Sequence, residues 1–220
     1  MIYDIYSFII GFHKTLYFNF KFFKIKEAIK LPVFISHKVN FRSLRGIIKI
    51  EAPISRGMIK IGFGNVAVFD RRYSRSILEL HGTWVIKGNC YLGHGSKISV
   101  GENGYLEIGD NFTISAESAI ICHKKIIIGN DCLFSWDIQV MDTDFHKIFI
   151  DNKQINLDEP IFIGNSIWIG CRSLILKGAS IPDNCIIGAS SMITKKLQYS
   201  NSVYTGNDSK PKKENVRWEM

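Results

Sequence analysis

What this 220-residue chain lacks narrows its class. Its 5 cysteines (Cys90, Cys122, Cys132, Cys171 and Cys185) are odd in number and form no CxxC pair, so neither a disulfide framework nor a zinc ribbon is indicated and a reducing cytoplasm fits best. A cleavable signal is missing too, because no basic segment precedes the apolar stretch near the start and no small-residue cleavage site follows it. The apolar residues from Ile5 to Phe23 are broken by His13, Lys14, Asn19 and Lys21, which argues against a full membrane span. Carboxylates are in deficit, with 20 Asp and Glu against 28 Lys and Arg for a net charge of +8. That balance suits an anionic partner such as a nucleotide, a phosphosugar or a lipid headgroup. Nucleic acid finds little support, since the basic residues are spread along the chain and not gathered with aromatics on one platform. At 46% hydrophobic and 22% charged, the chain has the composition of a folded protein with one core or one repeat array.

What is present is a repeat. Ile163, Ile169, Ile175, Ile181, Ile187 and Ile193 recur at one six-residue spacing, and the residues four places after them are mostly small: Ile167, Ser173, Ala179, Cys185, Ser191 and Leu197. A period of six matches neither a helical stripe nor the alternation of a single strand, so each unit is one short strand plus a turn. Three such units make one triangular coil of a parallel β-helix, which buries one aliphatic per side. In its left-handed version the connections run against the usual crossover preference. Upstream the pattern persists in shifted phases, as Ile86, Leu92 and Ile98, then Ile108, Ile114 and Ile120, then Ile128, Phe134 and Val140. The slips fall near 102–104 and 123–125, where bulges or irregular coils are expected. The early segments GIIKI (46–50) and MIKIG (58–62) read as degenerate coils, and Pro32 marks the change from an N-terminal helical segment.

The divisions expected are therefore a helical segment over 1–35, an all-β left-handed β-helix over 36–198 and a C-terminal cap over 199–220 with Trp218 as its anchor. In the first, Tyr3, Tyr6, Ile10, Tyr17, Phe20 and Phe23 fall at helical intervals. They predict either an aromatic face packed on the protein or on a neighbouring subunit, or peripheral contact of residues 1–30 with an anionic membrane. Within the repeat, residues 147–160 break the period, and a loop of that length in a compact array is more often functional than accidental. Just before it, the ladder Ile128, Phe134, Val140 places its next rung at 146, where a histidine stands in the run MDTDFH.

These residues resemble the hexapeptide-repeat acyltransferases, in particular their polysaccharide and sugar O-acetyltransferase branch. The resemblance is carried by DTDFH before a non-repeat loop, by IGNSIWIGCRSLILKGASIPDNCIIGASSMITK (163–195) and by YTGND near the end. It covers roughly residues 40–218. Asp208 and Ser209 stand where Pro and Ala are usual in that family, which alters the expected path of the cap. The resemblance implies acetyl-CoA as co-substrate, His146 as general base and a homotrimer whose sites form in the grooves between solenoids. It also implies an oxyanion contact from the backbone amide of Cys171, after Trp168 and Gly170. Ala189 is assigned to the pantetheine arm, and Thr194 and Lys195 to the outer end of the cofactor.

The chemistry agrees with that assignment. A sugar hydroxyl is a poor nucleophile at neutral pH, and imidazole, with an ordinary pKa near 6.5, is suited to remove its proton as the thioester is attacked. Asp142 and Asp144 either orient the ring and favour the imidazolium, Asp144 being preferred, or satisfy backbone amides at a tight corner. Nothing in sequence beside Cys171 would activate it as a nucleophile. His81, His94, His123 and His146 lack the spacing of a metal set, so no metal is expected. The expected function is acetyl transfer to a hydroxyl of a bacterial surface polysaccharide or its precursor, in the cytoplasm or at the inner face of the membrane. The alternatives are an amino-sugar N-acetyltransferase and a non-catalytic scaffold or carbohydrate-binding module.

Overall fold

The computed structural model describes residues 2–219 and is a left-handed parallel β-helix preceded by two helices, α1 (Ile2–Phe22) and α2 (Ile25–Ala28). Three sheets of nine, seven and six strands form faces A, B and C of the coil, and each successive trio of strands adds one rung. In the late coils the pairs Phe162↔Ser180, Trp168↔Ile186 and Leu174↔Met192 are all 18 residues apart, which is three units of six. The predicted ladder therefore stacks in register, and Ile169, Ile175 and Ile187 are completely buried. Full burial of one such side chain contributes roughly 1.5–3 kcal/mol, so the interior column is the main source of stability.

The earlier coils are longer. Thr83 pairs with Tyr105 and Tyr105 with Lys125, offsets of 22 and 20 residues, and this lengthening accounts for the shifted phases. Of the irregular coils or bulges expected near 102–104 and 123–125, the structure has the former: the coils are lengthened, while Tyr105–Ile108 and Lys125–Ile128 pair without a register shift. Register shifts occur instead at Phe41/Ser43 and at Ile61/Phe63. The first rung starts at Val33–Ile35, a little before the expected boundary at 36. At the far end Ser202–Tyr204 adds one more parallel strand to face A, and Lys213–Glu214 closes it antiparallel. Trp218 donates from Nε1 to the Ser166 carbonyl (2.8 Å), fastening the tail to the coil.

His146 is not a rung. After Val140 the chain leaves the coil at Asp142 and rejoins it at Ile161–Ile163, which pairs with Ile126–Ile128, so the ladder resumes at Ile163, the partner of Ile128. The excursion covers 143–160, and across it Val140 pairs with Ile175, 35 residues on. Its tip is a two-residue hairpin joining Phe149–Ile150 to Lys153–Gln154. Asp151 and Asn152 carry it at φ 48° and 61°, the mirror-image turn conformation that matches strand twist and that Asp and Asn tolerate.

The opposite end of the stack needs a cap, because Val33–Ile35 would expose unpaired backbone groups. Helix α1 supplies it with side chains. Asn19 Oδ1 accepts from Val33 N (3.1 Å) while its Nδ2 donates to Val33 O (2.7 Å), and Thr15 Oγ1 accepts from Ile35 N (3.0 Å). Gly11 permits the approach, since a Cβ there would lie 2.5 Å from the Ile35 carbonyl oxygen. Of the expected alternatives, packing of the aromatic face on the solenoid is not what α1 does: Ser7, Thr15 and Asn19 face the protein, and Tyr3, Tyr6, Ile10, Tyr17 and Phe20 face outward, which leaves the neighbouring-subunit and membrane alternatives open. Hydrogen-bonding demand at a strand edge outweighs aromatic burial here.

Asn19→Ala is expected to destabilise the fold by about 1–3 kcal/mol, because it leaves buried Val33 groups without partners. Chemical denaturation checks this, and an unchanged midpoint would show that α1 does not act as the edge cap.

Candidate active site

The corner between faces B and C holds the candidate catalytic residues Asp142, Asp144 and His146. Chain exit at Asp142 is fixed by hydrogen bonds into the preceding coil: Asp142 is fully buried, Oδ1 accepts from His123 N (2.7 Å), and Oδ2 accepts from Lys124 N (2.8 Å) and Lys125 N (2.7 Å). Both oxygens are thus committed to the backbone. The orienting role expected for Asp142 gives way to the other reading, a carboxylate that satisfies amides at a tight corner.

Asp144 is likewise engaged elsewhere. Its Oδ2 accepts from Lys177 Nζ and from Asn156 Nδ2 (2.8 Å), and hydrogen bonding from Lys177, then from Asn156, holds its carboxyl below the usual aspartate value of 3.8. Asn156 is the hub of the excursion: the same Nδ2 donates to His146 O (2.7 Å) and its Oδ1 accepts from Ile148 N (2.7 Å). The preferred role for Asp144, direct orientation of the ring, is therefore replaced by bracing of the loop backbone at 144–146. Lys177 and Asn156 are site residues that sequence reasoning missed. The one signal for Lys177 was register, since it follows Leu176, the strand partner of Met141.

His146 itself is exposed and lines an open pocket of about 480 Å³ with His123, Lys124, Phe145, Asn156 and Leu157. The preceding Phe145 adopts φ 60° and meets the His123 ring edge-on at 5.1 Å. His123 and Phe145 also border a second groove of about 550 Å³ that runs along face B past His81, Lys97, Glu79 and Arg42. The two spaces are contiguous, and together they offer a polar trough leading up to the imidazole.

The residues assigned to the cofactor fall on two corners. Thr194 and Lys195 follow Met192–Ile193 on face B, so they occupy the same corner as Lys177 and are exposed. Asn207, Asp208 and Ser209 of the C-terminal segment lie beside them. Gly170, Cys171 and Ala189 sit at the other corner, between faces A and B. There Gly170 is pressed against the next rung, a Cβ at its position falling 2.5 Å from Ala189 N, and Ala189 is exposed. Trp168, on face A, is exposed, with its Nε1 donating to Ser135 Oγ (3.3 Å) and its ring 6.3 Å from that of Trp218. From Cys171 to Lys177 the chain crosses one side of the coil, a span of up to about 20 Å for six extended residues. Within one chain, His146 and the Cys171 amide therefore belong to different edges. Burial pushes the Cys90, Cys122, Cys132 and Cys185 thiols up, which leaves them protonated and inert. Among the described residues, no three His, Cys, Asp or Glu side chains gather at metal-binding range.

No protein-family model matches the sequence. Over 110 residues the chain is 31% identical to the galactoside O-acetyltransferase of Escherichia coli (strain K12), a match covering 49% of each. Over 76 residues it is 36% identical to the polysialic acid O-acetyltransferase of Neisseria meningitidis, covering 33% of this chain and 35% of that one. It thus spans half or less of the length of both relatives. An uncharacterized 24.8 kDa protein in the cps region of Klebsiella pneumoniae is 24% identical over 200 residues, 91% of this chain and 87% of that one. Among solved structures, the polySia-specific acetyltransferase NeuO aligns over 86% of this chain and 89% of its own, with 19% identity and a TM-score of 0.47. The 18-residue register of the late coils and the three-faced stack define a parallel β-helix, and the relatives matched over part of their length are described as acetyltransferases.

Lys177→Met is expected to free Asp144 and loosen 143–160 while the coil persists, read as faster proteolytic cleavage within the hairpin. In the unsubstituted protein the carboxyl is depressed in the folded state, so its contribution is present above the ordinary value of 3.8 and is lost only as pH falls below it. Cleavage that accelerates between pH 7 and 5 would contradict this assignment.

Proposed function

We propose that the chain is an acetyl-CoA-dependent O-acetyltransferase acting on a sugar hydroxyl of a bacterial surface polysaccharide or its precursor. The observation that carries this reading is the exposed imidazole of His146 at the head of a polar trough, its backbone N–H donating to Asp144 O (2.6 Å) and its carbonyl accepting from Asn156 Nδ2 (2.7 Å). Relatives described as galactoside and polysialic acid O-acetyltransferases support a carbohydrate acceptor.

In this reading His146 accepts the hydroxyl proton as the oxygen forms its bond to the thioester carbonyl carbon. The Cys171 amide donates to the oxygen that becomes negative, which stabilises the tetrahedral arrangement. When the carbon–sulfur bond breaks, the imidazolium returns the proton to the departing thiolate, leaving the acetyl ester, free CoA and a neutral ring. A narrow pantetheine chain suits the exposed rung edge at Ala189, and Lys195 suits the phosphates as a compact cation.

Because His146 and Cys171 lie on different edges, a complete site needs a second copy to bring its own Cys171 edge to this His146, in keeping with a homotrimer. The hairpin supports such a contact: Ile148, Phe149, Ile150, Ile155 and Leu157 are all exposed, a cluster of apolar side chains uncommon on a surface without a partner. Four buried, unpaired cysteines suit a cytoplasmic site of action.

His146→Ala is expected to lower kcat/KM by about 10²–10⁴-fold, or about 3–5 kcal/mol of transition-state stabilisation, with the thermal transition unchanged. The assay is transfer from labelled acetyl-CoA to a panel of glycans, with hydroxyl and amino acceptors compared by product mass. Acetylation confined to amines would favour N-acetyl transfer, and undiminished turnover in the variant would remove His146 from the chemistry.

A further inference from the structure

Helix α1 has the polarity of an ordinary surface helix turned inside out. Its protein-facing stripe is small or polar at Ser7, Gly11, Thr15 and Asn19, with Phe18 as its large apolar member, because the strand edge beneath it requires hydrogen-bond partners. Its outward stripe carries large apolar side chains instead: Ile9 is 65% exposed, Tyr17 56% and Phe20 50%, with Ile5, Phe12 and Leu16 alongside. A patch of this kind, along a helix about 30 Å long, calls for an apolar environment.

The charges around the strip say which environment. Lys21 lies in its last turn and Lys24, Lys26 and Lys30 follow its C-terminal end, all of them exposed. At the other end the Arg71 guanidinium stands over the Tyr3 ring (5.5 Å to its centre). Of the carboxylates nearby, Asp4 is paired with Arg71 (3.2 Å) and also accepts from Gly64 N (3.0 Å), and Glu27 accepts from the backbone Lys24 N (3.3 Å). The surface is thus an aromatic and aliphatic strip with a net positive lysine cluster at its C-terminal end and a balanced Arg71–Asp4 pair at the other. A second copy would bring the same cations to face these, which is unfavourable. Nor does the helix insert across a bilayer, since no helix among the described residues is long and apolar enough to do so.

We propose that α1 lies flat in the headgroup region of an anionic membrane, its outward stripe in the acyl boundary and its lysines on the lipid phosphates. The strand-edge contacts then have two consequences: they cap the β-helix and they fix the stack end-on to the lipid, with His146 rungs away and the groove along face B running toward the lipid end at Arg42. This surface is distinct from the catalytic reading and stands without it. A surface-bound orientation would favour acceptors presented at the membrane.

The test is co-sedimentation of the full chain with vesicles of phosphatidylcholine alone and of phosphatidylcholine with phosphatidylglycerol. Binding to the anionic vesicles, weakened by salt and absent for neutral ones, is expected. Each lysine removed from the set Lys21, Lys24 and Lys26 should weaken it on the order of fivefold. Ile9→Glu with Phe20→Glu should abolish it while the circular dichroism and thermal transition stay as before, since neither side chain contacts the strand edge. Binding that survives the double substitution would overturn the proposal, as would no partition to anionic vesicles. A double variant that changes oligomer mass in light scattering would assign the stripe to a second copy instead.

Discussion

The structure depends on one buried carboxylate as much as on its aliphatic ladder. A hexapeptide coil closes because each side places one aliphatic inward, and a chain obeying that rule has no reason to leave the stack. Asp142 provides one. It is the single fully buried acidic side chain among the described residues, and by accepting three consecutive amides from 123–125 it closes the B–C corner without a following strand. Hydrogen bonds to a charged acceptor contribute about 1.5–3 kcal/mol each, enough to hold the coil shut while 143–160 project outward. His146 owes its position to that exit and to the Asn156 and Lys177 bonds that brace it.

The same economy governs the two ends of the molecule. At the C-terminal end an antiparallel strand and Trp218 close the last rung. At the N-terminal end no strand is available, so Asn19 and Thr15 imitate one, each meeting backbone groups of the first rung. Using polar side chains inward displaces the apolar ones outward. The apolar outer stripe of α1 is therefore a consequence of how the edge is capped, and it becomes useful if the outward surroundings are lipid.

Much of the fold is readable in the sequence because it is repetitive. Ile163 to Ile193 announce the coil at a glance, and the looser phases upstream follow once coil length is allowed to rise from 18 to 22 residues. The exit was harder. Counting by six carries the ladder formally from Val140 to His146, and only the pairing of Ile163 with Ile128 shows that the count stops at Asp142. Lys177 and Asn156 are illegible for a different reason: their partner Asp144 is 33 and 12 residues away, and no local pattern links them. The orientation of α1 was hidden because aromatic periodicity reports that a helix has two faces without saying which faces inward.

The most direct test of this account is hydrogen exchange on the Asp142→Asn variant. An amide nitrogen in place of one carboxylate oxygen presents donors to donors at the corner. The account predicts lost protection at His123, Lys124 and Lys125 and throughout 143–160, with the rungs from Ile169 to Ile187 still protected. Unchanged protection at those three amides and across the excursion would contradict the claim that Asp142 sets the exit and, through it, the place of His146.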